Sequence, residues 1–324
     1  MEEQSIGIEN LELIFVDDAS TDDGATWNAI LDFEAKYPNQ VIAIQHEENK
    51  KQGGARNTGL RYASAKYVGF VDPDDWIEKD MYKVLYDKAV EYDCEVVCCR
   101  MYTEYATRWD LSREMEEGLH AYEKNAACGG DKRAILPGGV FVKLYRKSLI
   151  LDNSLWFPEK IFYEDNYWGA ILSCYVKRYY AMNDVFYHYC SRNDSTVHSK
   201  QATHHLDRIV IEERKLEKYR EIGVFERCYR EIEIEFLQLY YINTLTLLAR
   251  RWEEIPYEVY VRLCEGIEKN FPDYQNNPYL KYKDLIFELL LPMIAMKLSE
   301  AEWVGVSEVL RDQIREIAAV LAKG

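Results

Sequence analysis

Short apolar runs alternate with helical patterns through the first hundred residues, and this alternation limits the fold more than any other feature of the chain. The apolar runs predict strands at 11–16, 41–45, 68–71 and 95–100. The helical patterns between them predict helices at 25–37, 55–65 and 78–92. Such alternation predicts an α/β fold with a doubly wound, mostly parallel sheet.

The third apolar run ends in three closely spaced carboxylates, Asp72, Asp74 and Asp75. Open α/β sheets bind ligands at the carboxyl ends of their strands, so these side chains are expected in a ligand crevice. Like charges this close repel one another, and a divalent cation held by carboxylate oxygens relieves the repulsion. The alternative is a turn in which Asp75 caps the next helix, but capping requires one aspartate and not three.

The character of the chain changes near residue 200. Before it, the segment 102–130 has weak periodicity and is predicted to form a lid or an acceptor loop. After it, apolar residues recur at helical spacing with charged residues between them, which predicts an all-helical domain. We therefore expect three parts, at 1–105, 106–199 and 200–324.

The net charge of −16 argues against a nucleic-acid partner, which would require a basic face. An anionic ligand is still compatible, because a metal ion and local dipoles can override net charge. Several of the eight cysteines lie in apolar runs and are interpreted as buried thiols of a reducing cytosol. The sequence contains no window of about 18 apolar residues. These features predict a cytoplasmic protein, which could also contact a membrane surface.

Three motifs taken together resemble the family 2 glycosyltransferases, nucleotide-sugar enzymes with the GT-A fold. They are the strand and acidic turn at 15–22, the glycine-containing segment at 53–59 and the acidic turn at 70–76. Further along, Glu164-Asp165 resembles the acidic pair before the acceptor-side helix of that family, and the segment 192–195 resembles its late Arg-x-x-Ser motif. The order and spacing of the motifs are specific, although each alone is weak. The resemblance covers residues 5–198.

The resemblance implies that one turn and one helix bind a nucleotide sugar, with a UDP-sugar as the expected donor. Asp18 would accept the N3–H of uracil, and Asp17 would also contact the nucleotide sugar, although Asp17 is equally compatible with a turn. Arg56 and Asn57 would contact the base or the diphosphate from the amino terminus of a helix. The ordinary alternative for Arg56 is an ion pair with a nearby aspartate, Asp18 or Asp72.

The acidic turn is implied to hold Mn²⁺ or Mg²⁺. Asp74 would ligate the ion, and Asp72 would bind the ion or the ribose. Asp75 would ligate the ion or position the nucleotide sugar. His198 and His188 are further candidates for the metal. Arg192 and Ser195 are further candidates for contact with the nucleotide sugar.

Asp165 is implied to be the general base, because an ionised carboxylate can remove the proton of an attacking hydroxyl. One base and one metal on opposite sides of the sugar imply a single displacement with inversion. The implied acceptor is a glycan or a lipid-linked molecule used in bacterial surface polysaccharide synthesis. Glu164 is the competing candidate, and both acids are also compatible with helix capping.

Two other functions compete with glycosyl transfer. A phosphatase or phosphotransferase could use Asp72 and Asp74, but that chemistry usually needs threonine or valine where Trp76 stands. The other is a non-catalytic protein that binds sugar nucleotides or partners. Members of the family begin with another strand and helix that have no counterpart here, so we expect a truncated domain with unpaired strand edges and exposed apolar surface.

Overall fold

The computed structural model describes residues 1–104, 109–121, 136, 138–191, 203–282 and 285–321. The chain forms two compact units, Met1–Arg192 and Asn193–Gly324. The first unit is built from strands and helices, and the described part of the second unit is helical, as predicted for the region after residue 200.

The strands described in the first unit form two sheets. The strands are Leu13–Asp17 (β1), Val41–Gln45 (β2), Tyr67–Gly69 (β3), Trp76–Ile77 (β4), Val96–Glu104 (β5), Trp109–Leu111 (β6), Gly118–Ala121 (β7), Lys143–Arg146 (β8) and Arg178–Cys190 (β9). β1 and β2 pair in parallel, with Leu13 opposite Val41. The other strands form a mixed sheet in the order β3-β8-β5-β9-β4, with β6 added to β5 and β7 added to β9. β5 and β9 are parallel, whereas the other neighbours in this sheet are antiparallel.

The three helices predicted in the first hundred residues are present, with shifts of up to four residues at their ends, and helices follow residue 200 as predicted. Those of the first unit are Ala25–Lys36 (α1), Lys51–Tyr62 (α2), Met81–Glu91 (α3), Lys147–Asp152 (α4) and Glu164–Ser173 (α5). Those of the second unit are Asp207–Glu221 (α6), Tyr229–Phe236 (α7), Asn243–Arg251 (α8), Tyr257–Asn270 (α9), Leu285–Met296 (α10) and Glu300–Leu321 (α11). A π-helical turn, Leu237–Ile242, joins α7 to α8.

The core of the first unit lies where α3 packs on the mixed sheet. Met81, Leu85 and Ala89 recur every four residues, so they share one face of α3, and all three are fully buried. β5 is buried over its first half, which includes the thiols of Cys98 and Cys99. This packing fixes the edge of the sheet from which the acidic turn at 72–75 projects.

β3 differs from the prediction of a buried strand in a parallel sheet. It lies at one end of the mixed sheet and pairs antiparallel with β8. Gly69 is required here, because a Cβ at this position would lie 2.6 Å from the ring of Tyr82. Among the described residues, β1 and β3 each have a strand partner on one edge only, in agreement with the expected unpaired edges.

Three smaller predictions can also be compared with the structure. β6 and β7 lie within 102–130, where a loop was expected, although 105–108 and 122–130 lie outside the described residues. Cys228 is disulfide-bonded, so the interpretation of the cysteines as thiols is wrong for that residue. In the part of the chain that the structure describes, no helix is long and apolar enough to cross a membrane.

Candidate active site

Helix α2 is the element that joins the candidate site together. Its amino-terminal half, together with the preceding residue Lys50, contacts three acidic turns, which follow β1, follow β3 and precede α5. Each turn carries at least one of the carboxylates singled out in the sequence. The contacts of α2 therefore decide which of these carboxylates are available to a ligand.

The first turn presents Asp18 to the surface. Its carboxylate accepts the backbone N–H of Lys50 at 2.9 Å and lies 2.6 Å from Nδ1 of His46. The other ring nitrogen of His46 is 2.8 Å from Oγ1 of Thr58 on α2. Asp18 is partly exposed, and a carboxylate offers about four lone-pair positions, so it can still accept a ligand N–H.

Asp17 is used by the turn itself. It is 3% exposed, and it accepts the N–H of Ser20 at 3.0 Å and the side-chain amide of Gln45 at 2.8 Å. Burial acts to raise the pKa of Asp17, but these hydrogen bonds outweigh it and the pKa is lowered. The structure therefore favours the turn-forming alternative over the expected contact of Asp17 with the nucleotide sugar.

The second turn is held to α2 through Asp72. Nη2 of Arg56 lies 3.0 Å from Oδ1 of Asp72, and the side-chain amide of Gln52 donates to the same oxygen at 2.8 Å. Burial raises the pKa of Asp72; Arg56 opposes this effect, and the charges of Asp74 and Asp165 reinforce it. The ion pair foreseen as the alternative role of Arg56 is thus present, and it aims the guanidinium at the acidic turn.

Asp75 and Asp74 point to different surroundings. Asp75 accepts the hydroxyl of Tyr187 at 2.6 Å and the N–H of Cys190 at 2.8 Å, and burial raises its pKa. It caps no helix, because β4 follows it directly. Asp74 is exposed and has no hydrogen-bond partner among the described residues. Asp74 is therefore the carboxylate of this turn that is most open to a ligand.

The donor set of this turn fits a hard divalent cation in part. The charge of Asp74 raises the pKa of both Asp72 and Asp75, and a cation bound between the carboxylates would relieve this repulsion. The described residues contain no group of three acidic, histidine or cysteine side chains arranged to hold a metal. One or two carboxylates suffice for Mg²⁺ when substrate phosphates supply other ligands.

The third turn separates two adjacent acids. Tyr163, with φ of 64°, turns the chain sharply into α5, and Glu164 then points inward to Nη1 of Arg56 at 2.8 Å. Burial, reinforced by the charge of Asp165 and opposed by Arg56, raises the pKa of Glu164 to about 7. Asp165 is partly exposed and accepts the N–H of Asn166 at 2.9 Å. Asp165 is thus the acid of this pair that a ligand can reach.

The glycine-containing segment lies inside α2, which changes the expected position of Arg56. Gly53 and Gly54 lie inside the first turn of α2, and a Cβ on Gly53 would lie 2.2 Å from the carbonyl oxygen of Pro158. Gly53 therefore allows α2 to pack closely against Pro158. Because α2 begins at Lys51, Arg56 lies beyond its first turn. The free N–H groups at the start of the helix therefore do not lie beside Arg56, contrary to the prediction from the sequence.

Asn57 is a framework residue in this structure. It is 1% exposed, and its side-chain amide donates to the carbonyl of Phe157 at 2.9 Å and to Glu159 at 3.0 Å. Its side-chain oxygen accepts the N–H of Phe157 at 2.9 Å. These contacts differ from the expected contact with the nucleotide sugar, because they use the whole amide to hold α2 against 157–159.

His188, a candidate for contact with the metal, is buried, and both of its ring nitrogens lie near glutamate side chains. Its ring nitrogens lie 2.7 Å from Glu104 and 2.9 Å from Glu78, and its ring stacks on Trp76. Arg192, Ser195 and His198 lie outside the described residues.

The structure adds site features that the sequence patterns did not reveal. Gln52, His46 and Tyr187 each bond one of the acidic turns. Three residues other than glycine have left-handed backbone at the site: Ala19 (φ 58°), Lys51 (φ 61°) and Tyr163 (φ 64°). Such residues cost about 1–3 kcal/mol each and cluster at functional sites. No glycine marks these positions, so the sequence does not indicate them.

Residues 2–150 match the model of the family described as glycosyl transferase family 2. Glycosyltransferase GlyA of Streptococcus pneumoniae serotype 4 is 39% identical over 94 residues, which cover 29% of this chain and 13% of GlyA. Minor teichoic acid biosynthesis protein GgaA of Bacillus subtilis is 26% identical over 323 residues, which cover 89% of this chain and 66% of GgaA. Cholesterol galactosyltransferase of Borreliella burgdorferi is 26% identical over 248 residues, which cover 72% of this chain and 66% of that enzyme. The chain thus spans less than two thirds of the length of each of these relatives.

Among solved structures, residues 1–349 of TarS from S. aureus in complex with UDP-GlcNAc superpose with a TM-score of 0.55 and 20% sequence identity. The match covers 97% of this chain and 85% of that one. At this identity the likeness concerns the fold, and it confirms the predicted GT-A-like fold with a helical carboxyl-terminal region. Together, the family match over residues 2–150 and the shared fold indicate that the first unit is similar to glycosyl transferase family 2 and has a GT-A-like fold.

Proposed function

We propose that the protein is an inverting, metal-dependent glycosyltransferase that moves a sugar from a UDP-sugar to a hydroxyl group of an acceptor. The observation that carries this proposal is the convergence of three acidic turns on α2, two of them through the guanidinium of Arg56. The turn after β1 offers a hydrogen-bond acceptor for a nucleobase. The turn after β3 offers carboxylates for a cation, and the turn before α5 offers an accessible general base. These are the parts that sugar transfer from a nucleotide requires.

On the donor side, Asp18 has acceptor capacity left for the N3–H of uracil. The crystal structure of TarS that shares this fold contains UDP-GlcNAc, which supports a UDP-sugar donor here. Asp72 and Asp74 would hold Mn²⁺ or Mg²⁺, and the ion would neutralise the diphosphate as it leaves. Asp75, fixed by Tyr187, would position this turn.

On the acceptor side, Asp165 is the general base. As the acceptor oxygen bonds to the anomeric carbon, Asp165 takes the hydroxyl proton. The bond from that carbon to the diphosphate oxygen breaks, and UDP leaves with the electron pair. Attack opposite to the leaving group inverts the anomeric carbon. Glu164 is not the base in this proposal, because it is buried against Arg56.

The proposed acceptor is a glycan or a lipid-linked molecule of bacterial surface polysaccharide synthesis. GgaA is named for minor teichoic acid biosynthesis, which supports this class. An acceptor of this kind would place the protein in the cytoplasm or at a membrane surface. Contacts of Arg192 and Ser195 with the nucleotide sugar, and of His198 with the metal, are part of the same proposal.

Thermal unfolding with a panel of nucleotide sugars, with and without Mn²⁺, tests donor binding. A donor at about 100 times its dissociation constant adds about 2.7 kcal/mol to the free energy of unfolding. We expect a UDP-sugar to raise the melting temperature only when Mn²⁺ is present. A rise that is the same without the ion would contradict the metal dependence.

The substitution Asp74→Asn tests the turn directly. It should abolish the Mn²⁺-dependent rise in melting temperature, because it removes the accessible ligand of the cation. It should also abolish the release of UDP when acceptor extracts are added. Asp152→Asn, an exposed change at the end of α4, is the matched control and should leave both unchanged. Binding of the donor without any transfer would favour the non-catalytic alternative.

A further inference from the structure

The indole of Trp76 lies open to solvent directly after the acidic turn. Trp76 is the first residue of β4, and at 42% exposed it is the most exposed of the tryptophans whose burial the structure describes. Single exposed apolar side chains are common on protein surfaces, so exposure alone does not indicate a site. The contacts of the ring and its position on the sheet carry more information.

One face of the indole rests on a ring that is itself held in place. The indole stacks on His188 with ring centroids 3.4 Å apart and planes inclined by 10°. His188 is 2% exposed, and its ring nitrogens lie 2.7 Å from Glu104 and 2.9 Å from Glu78. Nε1 of Trp76 also donates to Glu104, at 3.4 Å. We call this assembly of Trp76, His188, Glu104 and Glu78 the Trp76 platform.

The other face of the indole is available to a ligand. Within the described residues, His188 is the ring that stacks on Trp76, and it covers one face of the indole. Because the ring is already oriented by a stack and a hydrogen bond, a ligand on its open face need not order a mobile side chain. A flat apolar surface prepared in this way favours binding of a flat apolar face.

The platform lies on the side of the mixed sheet that carries the proposed general base. Neighbouring residues of a strand point to opposite faces of a sheet. Ile77 packs on the core beneath α3, so Trp76 points to the other face. On β8, Leu144 belongs to the same core, and Tyr145 after it contacts helix α5. Trp76 therefore shares a sheet face with α5, whose first turn carries Asp165.

Acidic groups surround the open face. The side chain of Glu78 is 45% exposed, and Asp74 on the preceding turn is exposed. Carboxylates repel phosphates and other anions, but they accept hydrogen bonds from hydroxyl groups. A pyranose ring matches both features, because its C–H face is attracted to the negative face of an aromatic ring and its edge carries hydroxyl donors. A hydrocarbon chain would leave the carboxylates without a partner.

We propose that the Trp76 platform binds a sugar ring of the acceptor, with the ring stacked on the open face of the indole and a hydroxyl group donated to Glu78. The acceptor therefore contains an uncharged pyranose and is not a purely polyol-phosphate chain. Only the word acceptor rests on the proposed function, through the sheet face shared with Asp165; the binding of a sugar ring rests on the platform itself.

The probe is methyl β-D-glucopyranoside, added to the full chain and followed by saturation-transfer NMR. Alternate ring C–H bonds of this glycoside point to the same face. We expect saturation to be strongest on one such set, because those bonds would lie against the indole. D-Glucitol, an open-chain polyol without a ring face, is the matched compound and should receive little saturation.

The variant Trp76→Leu keeps an apolar side chain but removes the aromatic face, and it should weaken binding of the glycoside about tenfold. Trp76→Phe keeps a smaller aromatic face and should weaken binding about threefold. Trp27→Leu, at a partly exposed tryptophan of α1, is the control and should bind the glycoside as the unmodified chain does. A tryptophan that only covered His188 would give no such order between leucine and phenylalanine.

Three results would overturn the proposal. The first is no saturation of the glycoside up to about 50 mM, and the second is equal binding by Trp76→Leu and the unmodified chain. The third is displacement of the glycoside by UDP-GlcNAc with Mn²⁺, since this would assign the platform to the donor. None of these measurements requires sugar transfer. A chain that binds the glycoside on Trp76 but transfers no sugar would contradict the proposed function and not the platform.

Discussion

Glu164 and Asp165 are neighbours in sequence but differ in chemistry because one is buried and the other is not. Glu164 contacts Arg56 and has a pKa raised to about 7, whereas Asp165 lies where a ligand can reach it. Environments that separate two carboxyl groups in this way often assign them different roles. The geometry thus supports Asp165 over Glu164 as the base of the proposed reaction.

The substitution Asp165→Asn removes the proposed base without changing the size of the side chain. We expect the rate of transfer to fall by about 10²–10⁴, the range for loss of general-base catalysis. Binding of the donor should change little, because Asp165 does not contact the donor in this proposal. Rates of transfer and donor titrations of the variant and of Asp152→Asn check this. A variant with more than about a tenth of the normal rate would exclude Asp165 as the base.

Glu164 should make the free energy of unfolding depend on pH. Its folded pKa, about 7, lies above the ordinary value of 4.5, so the folded protein binds this proton more tightly than the unfolded protein does. The stabilisation is complete below pH 4.5 and is lost as the pH rises through 7. Compared with Glu164→Gln, the unmodified chain should lose up to about 3 kcal/mol over this interval. Urea unfolding of both proteins across this pH range measures the difference. If the free energies of unfolding of the two proteins change in parallel with pH, the pKa of Glu164 is not raised.

Sequence patterns could identify which residue types belong to the site, but not which of them are exposed. Asp17 and Asp18 are adjacent and identical, yet Asp17 is buried against Ser20 and Gln45, whereas Asp18 is bound by Lys50 and His46 and stays partly exposed. Asn57 belongs to the motif at 53–59, and only the position of Phe157 shows that its amide is used internally. Burial depends on distant parts of the chain, and therefore local patterns do not predict it.

At the scale of elements, α2 connects the proposed donor side to the proposed acceptor side. It is fixed by Gly53 against Pro158 and by three hydrogen bonds of Asn57, while Arg56 spans from Asp72 to Glu164. A shift of α2 would therefore move both turns together. Geometry of this kind would keep the proposed cation site and the proposed base at a constant separation.

Asn57→Ala should loosen this attachment. The change leaves the N–H of Phe157 and its carbonyl without their partners in a buried place, and an unsatisfied buried group costs about 1–3 kcal/mol. We expect a loss of about 2–4 kcal/mol in the free energy of unfolding, measured by urea denaturation. Asn28→Ala, on the exposed face of α1, is the control and should change stability by less than about 0.5 kcal/mol. Equal stability of both variants would contradict the framework role.

The elements with strong local periodicity were predictable, and the pairing of strands was not. α1, α3 and β2 lie within a few residues of their predicted positions. The start of α2 was misplaced, because Gly53 and Gly54 are typical of turns and were assigned to a loop. β3 pairs with β8, which lies far along the chain, and no pattern near β3 indicates that partner.

At the scale of the whole molecule, the second unit has a core and buried charges of its own. Trp303 is 1% exposed, stacks on Tyr260 and donates to the carbonyl of Ile255. Lys215 is buried with Glu212 at 2.8 Å and Glu235 at 3.1 Å. A unit with its own apolar core and its own buried ion pair meets the main requirement for independent folding, a separate hydrophobic core.

We therefore expect residues 203–324, expressed alone, to unfold cooperatively. Circular dichroism should show helix, and thermal melting should show one sigmoidal transition. Trp303→Ala in the same fragment should lower the free energy of unfolding by about 3–5 kcal/mol, the cost of truncating a buried aromatic side chain. A broad melt that this substitution does not alter would show that the unit has no separate core.

An apolar groove lies between β1 and β3 with α2 on one face, and it shares a boundary with the candidate site. Gln52, Arg56 and Asp72 line the groove, and the same three residues tie the acidic turn to α2. Any occupant of the groove that moves them changes the affinity of the site, and the effect must be reciprocal. If an occupant of this groove strengthens the binding of a nucleotide sugar by some factor, the nucleotide sugar strengthens the binding of that occupant by the same factor. Two titrations, each made with and without the other ligand, must therefore give one coupling energy.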